Sequence, residues 1–346
     1  MSEVNSVTSE SHHESRPIEI FLCHFGGPEK AEEVSPFLYQ LFMDPFIIRA
    51  PFPPFFRKWL ANKIVKKRGE ESLAQYQRIG FSPINKYTQA QAELLEEKVR
   101  SKHPNAVVKV VNRYTEPFAG SVCRALEDKP IRRFVMTLYP HFCHSTTVSS
   151  IRDFSLALRE RFGEAEVPRT EVYNWWHNPK FMALSEAYLI ESLAEAVSKI
   201  SESITILFSA HGIPKRYALR GDPYPNEIKM HYQRLREVGE AWLAKEAPGR
   251  TVHWQLSFQS RVGRMEWIKP YTETEISRLA QQNGGHLLLV PISFVSDHIE
   301  TLFEMDVTYQ EDAKQNGFSS YSRVPGFNED PKLAEALFDV LESQGL

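Results

Sequence analysis

The sequence contains few cysteines, and this scarcity argues against several kinds of metal site. Only Cys23, Cys123 and Cys143 occur among 346 residues, and no two of them form a CxxC pair. A zinc knuckle or a cysteine-ligated iron–sulfur cluster is therefore not expected. So sparse a set also forms no disulfide framework, which fits a reducing compartment.

An excess of charge and long apolar runs are also missing. The formal net charge is −3 and the pI is about 6.5, so composition gives no indication of a nucleic-acid partner. No segment reaches the roughly 18 consecutive apolar residues that a membrane-spanning helix needs. Residues 1–16 are rich in Ser, Glu and His and lack the apolar stretch of a signal peptide, so we predict a disordered tail. We therefore expect a cytoplasmic protein.

Short apolar segments alternate with longer segments of helical periodicity. Strands that are apolar throughout are typical of a parallel sheet covered on both faces, so the pattern predicts a doubly wound α/β fold. The predicted strands are Ile18–Phe25, Val107–Val111, Phe134–Tyr139, Glu171–Tyr173, Ile204–Ser209, Val252–Phe258 and His286–Pro291. The predicted helices include Gln89–Lys102, Thr147–Phe162, Lys180–Lys199, Glu227–Lys245 and Thr272–Gln282.

A short repeat indicates two similar halves. Phe21–Pro28 and Leu207–Pro214 each contain an apolar run that ends in x-Gly-x-Pro. Since the length also suits two domains, we predict two similar Rossmann-like halves. The first half spans residues 17–165, and the second, 166–346, includes an acidic helix and a terminal helix.

The segment Asp44–Trp59 interrupts the pattern, because it contains four prolines and many aromatic residues. The prolines exclude a continuous helix there, and a basic helix, Lys58–Arg68, is predicted to follow. Residues 44–68 are either a packed surface loop or an apolar lip over a pocket. The stretch 46–59 is also a candidate for peripheral membrane contact, because Lys66, Lys67 and Arg68 flank it.

His211 follows an apolar strand, where ligands of parallel sheets bind. A histidine there is a metal ligand, a base, or a hydrogen-bonded residue at a strand end. After a later strand, Asp297, Glu300 and Glu304 fall at i, i+3 and i+7, which predicts three carboxylates on one helix face. Such a face attracts a cation, although Asp297-x-x-Glu300 also matches a capping box and an acidic face can simply be solvated.

Imidazole and carboxylate together suit Fe²⁺, Zn²⁺ or Mn²⁺ that is handled transiently. The sequence has no GxGxxG after its first strand, no Walker A lysine and no GxSxG, so nucleotide and serine-hydrolase chemistry are not indicated.

Several segments resemble the ferrochelatase family, in family order, from about Ile18 to the end of the chain. The longest is Leu207–Tyr224, and Pro291–Glu304 is close to the family motif. The other matching segments are Phe37–Asp44, Asn112–Pro117, Leu138–Thr147, Phe258–Trp267 and Arg323–Asn328.

The resemblance implies a chelatase-type fold in which a porphyrin binds in a cleft between the two Rossmann-like halves. It implies a lyase that inserts Fe²⁺ into protoporphyrin IX or coproporphyrin III, with release of two protons, as the terminal step of haem biosynthesis. Iron would be a substrate, and no permanently bound cofactor is expected, because the C-terminal cysteines that hold a [2Fe–2S] cluster in some members are absent. The alternatives are a chelatase for another metal or tetrapyrrole and a non-catalytic porphyrin or haem carrier.

The resemblance also assigns roles to residues. His211 would be the base or an iron ligand, and Glu300, on a π-helical segment, would be the second catalytic and metal-binding residue. His298, Glu304 and Asp297 would form a path for metal or protons behind Glu300. The implied porphyrin contacts are Phe25, Arg113, Tyr114 and Trp267 at the ring, with Arg68 and Ser260 at the propionates.

The chain departs from the family pattern at three places. The Gly-rich turn is shortened at Ile79–Pro83, and Arg264 stands where proline is usual. Phe25 occupies a variable position and cannot ligate iron, and a Phe rather than a Tyr favours protoporphyrin IX. Oligomeric state is left open by the sequence.

Overall fold

Two four-stranded parallel sheets form the framework, which confirms the predicted α/β class. The strand orders are β2-β1-β3-β4 and β6-β5-β7-β8, so the two sheets have the same topology. A computed structural model describes residues 17–49, 52–128, 131–163, 167–263 and 265–346. The predicted tail, residues 1–16, and Arg264 lie outside these ranges.

The first sheet and its helices come from the N-terminal part of the chain. The elements are β1 (Ile18–His24), α1 (Ala31–Met43), α2 (Pro54–Arg78), α3 (Ile84–Arg100), β2 (Ala106–Asn112), α4 (Ala119–Arg124), β3 (Arg132–Thr137), a π-helical turn (His144–Val148), α5 (Ser149–Phe162) and β4 (Thr170–Val172).

The second sheet and its helices follow. The elements are α6 (Pro179–Lys199), β5 (Ile204–His211), α7 (Lys215–Ala218), α8 (Tyr224–Glu246), β6 (Val252–Gln259), α9 (Thr272–Asn283), β7 (His286–Val290), a ten-residue π-helix (Glu300–Tyr309), α10 (Gln310–Asn316), β8 (Ser320–Arg323) and α11 (Pro331–Ser343).

The central strands form because they are apolar on both faces. All residues of β1 and β7 are buried, as are all but the last residue of β5. Two helices begin at the residues that favour a start: Asn178 and Asp330 accept hydrogen bonds from the first backbone N–H groups, and each precedes a proline. The sequence therefore specifies these boundaries locally.

The terminal helix packs differently from its predicted assignment to the second half. Leu333, Leu337 and Leu341 of α11 belong to the same core as Leu22 of β1 and Leu95 of α3. The apolar face of α11 covers the first sheet, so the chain returns to the N-terminal half at its end. The predicted division near residue 165 stays a prediction, because residues 164–166 lie outside the described ranges.

The segment before α2 and α2 itself connect the two halves. The hydroxyl of Tyr217 donates to the carbonyl of Ile47 and accepts from the N–H of Arg49, both at 3.2 Å. Arg78 at the end of α2 forms a 3.1 Å ion pair with Glu311 of α10. The predicted helix Lys58–Arg68 lies within α2. No helix in the described ranges is long and apolar enough to cross a membrane.

Candidate active site

His211 is the last residue of β5, and its tautomer follows from one contact. The Nδ1 atom lies 2.6 Å from the carbonyl oxygen of Gly212. Because a carbonyl only accepts, Nδ1 carries a proton, and Nε2 is the ring nitrogen that is left to accept a proton or bind a metal. The backbone N–H of His211 donates to Oγ of Ser293 at 3.1 Å, which fixes the residue at the strand end.

Glu300 faces His211, as the sequence predicts. The distance from His211 Nε2 to Glu300 Oε1 is 3.5 Å, and the distance from His298 Nε2 to Glu300 Oε2 is also 3.5 Å. Oε2 is buried and has no hydrogen-bond partner among the described residues. Burial raises the pKa of Glu300, but His211 and His298 together lower it below its ordinary value. The carboxylate therefore stays ionised between two imidazoles.

His298 is oriented in the same manner as His211. Its Nδ1 lies 3.0 Å from the carbonyl of Ser296, so Nδ1 donates and Nε2 points toward Glu300. The two rings thus direct Nε2 toward opposite oxygens of one carboxylate. Each 3.5 Å gap can hold a proton or a cation that is shared between an imidazole and Glu300.

The three predicted carboxylates do not share one α-helical face. Asp297 precedes the helix, and the helix from Glu300 onward is a π-helix, as the resemblance implied, so the i, i+3, i+7 spacing does not apply. Asp297 instead pairs with Arg323 at 2.9 Å and accepts from Asn328 at 2.8 Å. Burial raises the pKa of Asp297, but these two partners lower it overall.

Glu304 lies one π-turn beyond Glu300 and is surrounded by donors. Its carboxylate accepts from the N–H of Ser260 at 3.0 Å, the hydroxyl of Ser260 at 2.5 Å, Tyr309 at 2.8 Å and Gln259 at 3.3 Å. Burial and the charge of Glu300 raise the pKa of Glu304. Glu304 is thus held firmly to the end of β6, whereas Glu300 has an open oxygen.

The end of β1 presents an aromatic surface. The Phe25 ring stacks on Tyr114, with centroids 5.3 Å apart, and lies 5.0 Å from Tyr139. Tyr114 and Arg113 both contact Oδ2 of Asp44, at 2.8 and 3.1 Å. The polar groups of Arg113 and Tyr114 are therefore engaged with Asp44, and Phe25 is the partly exposed member.

Trp267 lies beside His211, with ring centroids 6.3 Å apart. Its Nε1 donates to the carbonyl of Val262 at 3.0 Å, and its side chain is largely buried. A Cβ at Gly212 would come within 3.1 Å of Trp267 and 2.9 Å of the Gln259 carbonyl, so only glycine fits there. This close approach sets the ring of Trp267 against the end of β5.

Arg68 and Ser260 differ in their availability. Arg68 is half-buried on α2, and no hydrogen bond or ion pair joins it to another described side chain. The N–H and hydroxyl of Ser260 both point to Glu304. Arg68 thus has free donors, whereas those of Ser260 are occupied.

Sequence reasoning did not single out several residues that support the site. Asp44 holds Arg113 and Tyr114, Tyr309 donates to Glu304, and Arg323 with Asn328 holds Asp297. Asp44, Arg323 and Asn328 lie in segments that match family motifs, and this match was the one sign in the sequence that they matter. Their partners are distant in sequence, so the pairs could not be assigned.

Comparisons with known proteins concern the chain as a whole. The family model described as Ferrochelatase matches residues 18–345. The ferrochelatase of Synechococcus sp. (strain RCC307) is 39% identical over 329 residues, covering 94% of this chain and 81% of the relative. That of Prochlorococcus marinus (strain MIT 9215) is 40% identical over 332 residues, covering 94% and 82%.

The fold is also similar to that of known solved structures. One of them is DR2241 from Deinococcus radiodurans, described as a multi-domain protein with structural similarity to chelatases and two additional domains. The TM-score is 0.50 at 15% identity, and the match covers 96% of this chain and 56% of that protein. At this identity the likeness concerns the fold alone.

Proposed function

The chain belongs to the ferrochelatase family, and from this membership we propose that His211 and Glu300 are its metal-insertion site. It is an enzyme of haem biosynthesis, a lyase that inserts ferrous iron into a porphyrin. The porphyrin and Fe²⁺ are its substrates. What remains to be assigned is which residues act on them and which porphyrin is preferred.

The observation that carries the site assignment is the 3.5 Å gap between His211 Nε2 and Glu300 Oε1. Insertion replaces two pyrrole N–H protons by one metal ion, so an acceptor must lie beside the ring. Nδ1 of His211 donates to a carbonyl, so Nε2 is the atom that is available to accept a proton, and the carboxylate of Glu300 faces Nε2. This arrangement supports proton removal, since an imidazolium formed at His211 would be stabilised by Glu300.

The same atoms also support iron contact. One imidazole nitrogen and one carboxylate oxygen are ligands that Fe²⁺ accepts, and so small a set lets the metal leave for the porphyrin. Both hypotheses for His211, base and ligand, place Glu300 in direct contact with the proton or the metal.

Behind Glu300 we propose a path through His298 toward Glu304 and Asp297. His298 is in direct contact with Glu300. Glu304 and Asp297 already accept several hydrogen bonds or ion pairs, so their contribution is negative charge rather than free ligand atoms. The charge would favour a cation near His298.

For the porphyrin we propose contacts from both ends of the cleft. Phe25 and Trp267 have rings at the ends of β1 and β5, and the free guanidinium of Arg68 suits a propionate. Arg113, Tyr114 and Ser260 would act mainly through Asp44 and Glu304, to which their polar groups are bound. A Phe at position 25 favours protoporphyrin IX over coproporphyrin III.

The experiment is an anaerobic assay that follows the visible spectrum of the porphyrin. Purified protein is mixed with Fe²⁺ and protoporphyrin IX or coproporphyrin III, and Co²⁺ replaces Fe²⁺ in a parallel series. Catalytic conversion with iron, faster with protoporphyrin IX, is expected. Binding without turnover would support a carrier, and preference for cobalt would support a chelatase of different metal specificity.

We also propose peripheral membrane contact through residues 46–59, which would form a lip of the cleft. Phe55 and Trp59 are 74% and 52% exposed and lie beside Lys58 and Lys63 on α2. Such a surface suits the interface of an anionic membrane. Cosedimentation with phosphatidylglycerol vesicles should decrease in Phe55→Ser/Trp59→Ser and stay unchanged in Leu156→Ser, another exposed apolar residue.

A further inference from the structure

Arg323, at the end of β8, contacts acidic residues on both sides of Glu300. Its Nη1 lies 2.9 Å from Oδ1 of Asp297, three residues before Glu300. Its Nε and Nη2 contact the two oxygens of Asp306, six residues after Glu300, at 2.7 and 2.8 Å. The arginine side chain is 8% exposed. One buried guanidinium thus binds both flanks of the segment that carries Glu300.

This contact bears on the π-helical conformation of the segment. A π-helix is rare and is usually a single turn, whereas Glu300–Tyr309 extends over ten residues. Relaxation to an α-helix would change the register, and each residue of register turns the later side chains by about 100° about the axis. Asp306 would then leave the position in which Arg323 binds both of its oxygens.

The neighbouring contacts hold Asp297 but do not hold Asp306. Asn328 donates to Oδ2 of Asp297 and accepts from its N–H, both at 2.8 Å. Asp306 has a single cationic partner, Arg323, among the described residues. Two contacts join the β8 edge to the π-helix: the bidentate Arg323–Asp306 pair, and a 2.8 Å hydrogen bond from the hydroxyl of Tyr321 to the carbonyl of Met305. The Arg323–Asp306 pair is the one that also reaches Asp297 on the other side of Glu300.

We propose that Arg323 is a positioning residue, which holds the π-helix in the register that keeps Glu300 opposite His211. This inference rests on the proposed function, because it gives Arg323 a role only through Glu300. The planar guanidinium suits the role, since it binds one carboxylate with two parallel hydrogen bonds and still reaches a second.

The sharpest variant is Asp306→Ala, which breaks the link and leaves the buried Arg323–Asp297 pair intact. We expect kcat to fall about tenfold while KM for the porphyrin changes less than about twofold, because substrate contacts are untouched. Asp306→Asn keeps one acceptor oxygen and should give an intermediate loss. The matched control is Glu275→Ala, which removes a carboxylate bound to Arg278 within α9 and should leave kcat unchanged.

A double-mutant cycle with Glu300→Gln tests whether the effect passes through Glu300. In that background Asp306→Ala should lower kcat by less than about twofold further, because the positioned group is already gone. A full tenfold loss in both backgrounds would overturn the inference.

Arg323→Lys is the second variant, because it keeps a charge beside Asp297 but cannot bind Asp306 bidentately. It should reproduce the loss of Asp306→Ala, and full turnover in either variant would overturn the role of Arg323. If Glu300→Gln alone retains full turnover, the proposed site and this inference both fail. If Glu300→Gln is slow while Asp306→Ala is fully active, only this inference fails.

Discussion

The carboxyl ends of β1 and β5 occupy equivalent positions in their sheets but carry different chemistry. At the end of β1, Phe25 stacks among tyrosines, and the nearby charges of Arg113 and Asp44 pair with each other. At the end of β5, His211 Nε2 and Glu300 Oε1 face each other at 3.5 Å, and Oε2 of Glu300 has no hydrogen-bond partner among the described residues. The N-terminal half thus has an aromatic surface at this position, whereas the C-terminal half has an imidazole and a carboxylate.

This difference shows that a repeated fold need not repeat a site. The topology brings two strand ends to comparable places, and the side chains decide what each end does. If the division holds, changes at β5 should affect turnover and changes at β1 should affect substrate binding. The following predictions test that division, beginning with the largest expected effect.

The largest effect is expected for Glu300→Gln, which keeps the shape of the side chain and removes its charge. Turnover should fall about 10²-fold or more, because proton or metal transfer loses its acceptor. His211→Ala should have a similar effect. Steady-state assays with Fe²⁺ and porphyrin measure kcat, and fluorescence quenching checks that porphyrin still binds.

The matched control for this change is Glu240→Gln on the exposed face of α8, where the glutamate forms only an i, i+4 pair with Arg236. It should retain wild-type turnover. A wild-type kcat in Glu300→Gln would show that Glu300 takes no part in the reaction. The alternative interpretation, in which Asp297 and Glu300 form a capping box, would then be favoured.

A smaller loss, about tenfold, is expected for Glu304→Gln. Its carboxylate accepts hydrogen bonds from Ser260 and Tyr309, so we expect no direct contact between Glu304 and the porphyrin. The substitution should therefore act indirectly. The loss should appear at low Fe²⁺ and diminish as Fe²⁺ is raised, if Glu304 assists metal supply. Measuring the rate over a range of iron concentrations tests this prediction. A loss of about 10²-fold that persists at high Fe²⁺ would instead give Glu304 the same role as Glu300.

The sequence allowed the fold to be predicted where local patterns decide it. Each predicted strand is present, and the central strands β1, β5 and β7 are almost entirely buried, as their apolar runs predict. β8 was missed because Ser320–Arg323 is polar and half-buried at a sheet edge, so it has no apolar run. The packing of the terminal helix into the core of the first sheet could not be predicted, since periodicity shows an apolar face but not what covers it.

The candidate site was predictable in part, for a similar reason. That His211 and Glu300 follow strands of one sheet could be read from chain order. The surroundings of Asp297 could not be predicted from the sequence, because its partner Arg323 is distant in sequence and α-helical spacing does not describe a π-helix. Side-chain partners depend on tertiary structure, which periodicity does not encode.

Phe25→Leu should have a modest effect at the β1 end. The smaller side chain loses aromatic contact worth about 1 kcal/mol, which corresponds to about a fivefold rise in KM for the porphyrin. The value of kcat should change little, because no proton or metal contacts this ring. A fall in kcat with constant KM would contradict the assignment of surface and reactive groups to separate halves.

The smallest effect on turnover is expected for substitution of two buried histidines, His141 and His231, that lie in contact between the two halves. Nε2 of His141, after β3, lies 3.0 Å from Nδ1 of His231 on α8. Burial lowers the pKa of His231 to about 3, and burial with the charge of His231 lowers that of His141 well below 6.5. Both rings are therefore neutral in the folded protein at pH 5, whereas they are protonated in the unfolded chain.

The unfolded chain thus binds more protons than the folded protein once the pH falls below about 6.5, so stability is present above that pH and is lost toward pH 3. Each histidine contributes a slope of up to about 1.4 kcal/mol per pH unit. Between pH 7.5 and 5.0, the free energy of unfolding should fall by about 3–4 kcal/mol less in His141→Leu/His231→Leu than in the wild type. Urea unfolding at the two pH values measures this difference. Any pH dependence that remains in the double variant is expected from His24, whose pKa is also lowered to about 3.

Turnover of the double variant at pH 7.5 should equal that of the wild type, because neither ring contacts His211 or Glu300. Parallel losses of stability in the two proteins would show that the histidine pair does not titrate on unfolding.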